Sequence, residues 1–232
     1  MSVLILVLSA DVPPYDAMIQ TSMDTWDSKQ IPGCQTVYYC GESSKSDTDK
    51  IIYLPVPDHL FNIGNKTLTA FEWALQNKEF DYIARVHSSI YVNKEQLMDY
   101  IPYLNQTGVF SGIEAPSQNG FQYVWGGTGY IISKDVIRLI VDNKQHWDHT
   151  FMEDESMSLL VRKLGIPFTG GNRACSIDKK EHGWQCTSYC GNSTDFTDFK
   201  ELAPLKHFFY RVKQDGKREL DKFIMNELFK SV

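Results

Sequence analysis

The chain has no excess of positive charge: 23 Lys and Arg stand against 29 Asp and Glu, for a net charge of −6. Binding a phosphate backbone needs a net basic face, so nucleic acid is excluded as the main partner, while local basic patches remain open. Cysteine is sparse, with five in 232 residues. An odd number in a chain of this length does not make a disulfide scaffold. Cys186 and Cys190 have a C-x₃-C spacing, but Cys34, Cys40 and Cys175 supply no second pair at zinc-ribbon spacing, and zinc is not expected. No apolar run approaches the length of a membrane span. The opening Val3–Leu8 run is apolar but short, without a basic leader or a small-residue cleavage site. It reads as a buried first strand rather than a signal peptide, and the expectation is a cytoplasmic protein. On that expectation the sequons at Asn65, Asn105 and Asn192 carry no meaning. There is no repeat and no linker. Nor does a glycine-rich phosphate-binding signature follow the first strand, which argues against a nucleotide-sugar pyrophosphorylase.

What is present is alternation. Hydrophobic residues make up 42% of the chain, enough for one large α/β domain. Val3–Ser9, Thr36–Tyr39, Ile51–Leu54, Tyr82–Val86 with Ile90–Val92, Val109–Gly112 and Gly129–Ile132 read as strands. Pro13 and Pro14 open a helix with Tyr15, Met18, Ile19, Ser22 and Trp26 on one face. Further helices are expected over Asn65–Asn77, Lys94–Leu104, from a cap at Ser133 to Ile140, over Glu153–Leu164 with Gly165 as its stop, and over Arg218–Phe229. Gly41–Lys50 reads as a polar surface loop, and Gly170–Thr197, rich in Gly, Ser, Thr, Asn and Cys, as a long irregular loop. The pattern predicts a mostly parallel sheet flanked by helices, with ligands at the carboxyl ends of its strands.

Four segments occur in a telling order. They are Phe61-Asn62-Ile63-Gly64-Asn65-Lys66-Thr67, preceded by Asp58; Phe80 to Asn93, through His87-Ser88-Ser89 and Tyr91-Val92-Asn93; Gly126-Gly127-Thr128-Gly129-Tyr130-Ile131-Ile132-Ser133; and Met152-Glu153-Asp154-Glu155, running on to Pro167. Together these resemble the β-1,3-glycosyltransferase (galactosyltransferase and N-acetylglucosaminyltransferase) and fringe families, over roughly Val3 to Pro167. The resemblance implies a GT-A, Rossmann-like fold in a single domain over 1–232. Residues 1–93 would form the nucleotide-sugar-binding half and 94–232 the acceptor and catalytic half. It implies an inverting transfer from a nucleotide sugar, usually a UDP-sugar, to a glycan hydroxyl. It matches Asp154 to the catalytic base, with Glu153 as the fallback, although acids here also simply suit a helix N-terminus. It puts Ser9, Ala10 and Asp11 against the nucleoside, and Lys66, Arg85, His87, Ser88 and Ser89 near the donor. The Gly126-Gly127-Thr128 turn would lie under the donor sugar and acceptor. Tyr123 and Trp125 before it suit either sugar stacking or the core.

The departure from the pattern is at His87-Ser88-Ser89, where the families carry an Asp-x-Asp that holds Mn²⁺ on the diphosphate. One imidazole and two hydroxyls bring no anionic oxygen, so no required metal cofactor is expected; a bound metal would fall to His87 or His207. The literal Asp47-Thr48-Asp49 sits in a polar loop and reads as a solvated turn. Without a metal, side chains must neutralise the diphosphate. The segment His207 to Lys213, followed by Lys217 and Arg218, interleaves bases with aromatics. Arg211 and Lys213 are the leading phosphate clamps, with Arg218 next. The competing function is a catalytically inactive sugar- or nucleotide-binding protein of the same fold, which the lost acidic motif would suit and a retained Asp154 would not.

Overall fold

In the first stretch of the chain β1 (Val3–Leu8), α1 (Tyr15–Asp24), β2 (Cys34–Cys40), β3 (Ile51–Tyr53), α2 (Ile63–Asn77) and β4 (Tyr82–His87) alternate. Then come β5 (Ile90–Val92), α3 (Lys94–Tyr100), β6 (Phe110–Gly112), the hairpin β7 (Glu114–Pro116) and β8 (Gln122–Val124), β9 (Tyr130–Ser133), α4 (Lys134–Asp142) and α5 (Glu153–Lys163). The remainder is β10 (Ala174–Lys180), β11 (Gly183–Ser188), β12 (Ser193–Phe196), β13 (Phe209–Arg211) and α6 (Glu219–Ser231). This computed structural model describes residues 1–171, 173–189, 191–214, 216 and 218–232, so Cys190 and Lys217 lie outside the described residues. No helix among them is long and apolar enough to cross a membrane.

The first sheet has the order β3-β2-β1-β4-β9-β6. β1, β2, β3 and β4 run parallel, whereas β9 is antiparallel to both β4 and β6. β1 is apolar throughout because both faces of the sheet are covered. Its alternate residues feed two cores. Leu4 and Leu6 pack with Phe71, Ile137 and Leu160 from α2, α4 and α5, while Val3, Ile5 and Val7 pack toward the second sheet with Met18 of α1 and Ile224 of α6. The winding proceeds from β1 to β2 and β3 on one side, and resumes with β4 on the other. That reversal makes the carboxyl ends of β1 and β4 the switch point where open α/β sheets bind ligands. Leu8 and His87 are register partners there.

Of the second sheet, β12-β11-β10-β13-β5, the sequence reading contains only β5, as a continuation of the Tyr82–Val86 strand. Within residues 170–197, expected as an irregular loop, Ala174–Lys180, Gly183–Ser188 and Ser193–Phe196 form the antiparallel strands β10, β11 and β12. The inward positions are Cys175, Ile177, Trp184, Cys186 and Phe196, all buried. Cysteine counts as a small hydrophobe once buried, and Ser176 between Cys175 and Ile177 is buried as well, so the start of β10 is covered on both faces.

Smaller differences have local causes. α3 ends at Tyr100 because Pro102 permits only a short turn after it. Trp26 falls in the turn after α1 but is still buried. Ser133 precedes α4 without capping it; its hydroxyl instead accepts the buried Val109 N–H at 2.9 Å. Asp47 accepts the Tyr53 N–H at 2.8 Å and Thr48 the Ile51 N–H at 2.9 Å, so the literal Asp-x-Asp shapes the turn into β3. Gly165, at φ +75°, ends α5 as expected.

Candidate active site

The cleft follows from this topology. β1 delivers Leu8, Ser9 and Ala10 to its floor, and β4 delivers Arg85 and then the His87-Ser88-Ser89 turn. The chain crosses there into the second sheet, where β13 pairs antiparallel with β5 and sets Arg211 opposite Ile90. Because β9 runs antiparallel to β4, its start, with the Gly126–Thr128 turn before it, comes to the same rim. The N-terminus of α5 completes the wall with Met152, Glu153 and Asp154. The cleft holds about 420 Å³.

Of the residues proposed from sequence, Ser9, Ala10, Lys66, Arg85, His87, Ser88, Ser89, Trp125, Gly126, Gly127, Glu153, Asp154, Arg211, Lys213 and Arg218 line this cleft. Four do not. Asp11 turns away to Lys45 at 2.6 Å and Ser43 at 2.8 Å. Tyr123 lies on the β7–β8 hairpin. Thr128 is buried and donates its hydroxyl to the Trp125 carbonyl at 2.9 Å, which tightens the turn. His207 is buried with Cys175 and Cys186. Lining residues that the sequence reading gave no role include Tyr15, His59, Leu60, Ile63 and Met152, although Ile63 and Met152 fall inside two of the four segments and Asp58 lies beside His59.

Charge pairing separates structural ions from free ones. Arg85 and Glu153 form a buried ion pair at 3.0 Å, with Tyr130 donating to Glu153 and Tyr39 3.3 Å from Arg85 Nε. Burial works against the charge on Arg85, but Glu153 holds it above the ordinary guanidinium range. Burial likewise raises Glu153, with Arg85 pulling it back. Glu153 is therefore committed to Arg85, which counts against it as the base. Glu153→Ala leaves the buried Arg85 without its opposite charge and is expected to cost about 3–5 kcal/mol in chemical denaturation, with Glu153→Gln between it and wild type.

Lys66 is satisfied by Asp58 and by the Ser9 carbonyl at 2.7 Å, tying α2 to the end of β1. Arg218 pairs with the buried Asp221 at 3.2 Å. His87 places its Nε2 3.1 Å from the Gly127 carbonyl, while Nδ1 accepts the Ser89 N–H at 3.2 Å. The imidazole is thus a neutral brace between two turns. Its pKa is pushed down to about 3, first by burial and then by Arg85, Arg211 and Lys213. With both nitrogens committed, and Ser88 and Ser89 neutral and buried, this turn does not fit a hard divalent cation.

Three charges in the cleft lack an opposite charge at ion-pair distance among the described residues: Asp154, Arg211 and Lys213. Asp154 accepts the Gly126 N–H at 2.9 Å and the Glu155 N–H at 3.1 Å. Burial raises its pKa, against the lowering effect of those hydrogen bonds. A Cβ on Gly126 would lie 3.1 Å from the Asp154 Cβ, so the glycine lets the carboxylate close on the turn. Arg211 lies over the Trp125 ring, 5.1 Å from its centroid, and Tyr189 meets the same ring edge-on at 5.3 Å. Lys213 is exposed at the rim. A second hollow of about 300 Å³ adjoins the cleft, sharing Leu60, Met152 and Glu153 and walled by Phe61, Trp147, His149 and Phe151.

The sheet order and the cleft at the β1–β4 switch point are those of a GT-A, Rossmann-like α/β fold. The chain is similar in fold to a glycosyltransferase involved in glycosylating the major capsid of PBCV-1, with a TM-score of 0.55 and 12% identity over 97% of this chain and 99% of that one. It is also similar to the 2-C-methyl-D-erythritol 4-phosphate cytidylyltransferase of Thermus thermophilus, with a TM-score of 0.50 and 9% identity over 97% of this chain and all of that one (100%). No protein-family profile matches the chain. Among curated proteins it is 23% identical over 142 residues to the UDP-GalNAc:beta-1,3-N-acetylgalactosaminyltransferase 2 of Mus musculus. That match takes in 53% of this chain and 28% of the mouse protein.

Proposed function

We propose that this chain is an inverting glycosyltransferase that moves a sugar from a UDP-sugar to a hydroxyl of a glycan acceptor, its diphosphate held by side chains rather than by a divalent metal. One observation carries the proposal: among the described residues, the charges of the cleft without an opposite charge at ion-pair distance are a single carboxylate and two cations. A base and a phosphate clamp are what this transfer needs. Asp154 takes the proton of the acceptor hydroxyl as its oxygen attacks the anomeric carbon from the face opposite the leaving group. The bond from that carbon to the diphosphate oxygen breaks, and UDP leaves with the electron pair. Arg211 and Lys213 meet the charge that develops on it. Ser9 and Ala10 face the nucleoside, Trp125 and the Gly126–Gly127 backbone the donor sugar, and the aromatic hollow beside Met152 the acceptor. The similarity in fold to a glycosyltransferase and the partial match to a curated one support the same choice.

A second reading, a non-catalytic binder of the same nucleotide sugar, is favoured by the full commitment of His87 where the related families carry acids. A thermal-shift screen of nucleotide sugars followed by measurement of slow UDP release separates the two. A ligand at one hundred times its Kd adds about 2.7 kcal/mol to stability, a readily measured rise in Tm. UDP-sugars are expected to give that rise and to be hydrolysed slowly. Stabilisation without any UDP release would favour the binder. Stabilisation by CTP but by no UDP-sugar would favour a nucleotidyltransferase.

The pH dependence follows from Asp154. The base works deprotonated and burial raises its pKa, so kcat/KM should fall on the acid side with a midpoint above the ordinary 3.8. A profile flat down to pH 4 would contradict the assignment.

A further inference from the structure

The second sheet gathers a group of side chains that the cleft does not use. Cys175 in β10 and Cys186 in β11 sit diagonally across neighbouring strands, since the register pairs Cys175 with Ser188 and Ile177 with Cys186. Diagonal positions two residues apart share a face. His207 arrives from the segment before β13, whose Phe209 pairs with Ala174. The ligand atoms of these three residues all lie within 4.8 Å of one another. All three are buried, His207 at 8% exposure and the cysteines at 0% and 1%, and neither cysteine is in a disulfide. Among the described residues the buried Nδ1 of His207 has no hydrogen-bond partner. An unsatisfied buried polar group costs about 1–3 kcal/mol, and hydrophobic packing does not repay it.

We propose that Cys175, Cys186 and His207 hold a structural zinc ion that staples β10, β11 and the approach to β13. The chemistry of the donors selects the metal. Two thiolates and an imidazole suit zinc and exclude magnesium or manganese, which prefer oxygen. The geometry is close: two sulfurs each about 2.3 Å from a tetrahedral ion lie about 3.8 Å apart, so ligands within 4.8 Å need only a small inward movement. None of the three residues lines the cleft, so the ion is kept apart from the proposed reaction. The ion would also set β13, which carries Arg211 to the cleft.

The test uses the full chain, purified reduced, without chelator and without a histidine tag. Plasma mass spectrometry is expected to find about one zinc per chain, with most of it lost in Cys186→Ser and in His207→Ala. Should those variants fail to fold, the unaltered protein still decides. After metal removal, added Co²⁺ should give the near-ultraviolet thiolate-to-cobalt charge-transfer band of a sulfur-ligated tetrahedral site, and Zn²⁺ should raise the Tm. Two results would overturn the proposal: zinc far below stoichiometry with no cobalt charge-transfer band, or an intact mass lower by two hydrogens in non-reduced protein because Cys175 and Cys186 are joined in a disulfide.

Discussion

Asp154→Asn should reduce turnover by about 10²–10⁴-fold, the usual contribution of a positioned general base, while UDP-sugar binding stays near wild type. The substitution keeps an oxygen for the Gly126 N–H, so the turn under the cleft is preserved. It also makes a prediction about stability that separates a catalytic role from a structural one. Burial raises the pKa of Asp154 in the folded chain. A carboxylate raised on folding stabilises the folded state when protonated, and that contribution is lost as pH rises through the folded value. At neutral pH the wild-type chain therefore holds a charge it would rather not bury, and the amide should leave the Tm unchanged or higher. Near-normal turnover, or a clear loss of stability at pH 7, would contradict the assignment.

Removing the clamp should be comparably damaging. Hydrogen bonds to charged groups are worth about 1.5–3 kcal/mol each, so Arg211→Ala combined with Lys213→Ala should lose on the order of 10²-fold or more in kcat/KM. The control is Arg218→Lys, because Asp221 already balances Arg218 and the lysine keeps that charge. Its effect should be much smaller. Equal losses in the two variants would mean that the Arg218 guanidinium, and not chiefly Arg211 and Lys213, holds the diphosphate.

Most of this cleft was legible in the sequence because its parts lie at strand ends, where apolar runs stop and turn residues begin. Leu8 to Ala10, His87 to Ser89 and Gly126 to Gly127 are such ends, and the parallel order of β1 and β4 brings the first two together. Pairing was not legible. Glu153 and Arg85 are far apart in the chain, so nothing local revealed that the acid beside Asp154 is consumed by a buried ion pair. Asp11 looked like a nucleoside contact for the same reason; its partner Lys45 belongs to a loop whose path the sequence does not dictate. Residues 174–196 concealed a sheet because turn-forming residues alternate with buried Cys175, Ile177, Cys186 and Phe196, and periodicity reads cysteine poorly. The same strands concealed the cysteine–histidine group, whose members come from three segments rather than one short motif.

The central claim is that side chains replace the metal on the diphosphate, and one titration tests it. UDP is titrated calorimetrically into the unaltered chain without divalent metal and again with added Mn²⁺. Adding metal is preferable to adding EDTA, which would also strip the zinc proposed for the second sheet. The prediction is that UDP binds without Mn²⁺ and that Mn²⁺ changes the affinity little. Binding that appears only when Mn²⁺ is added would contradict the claim.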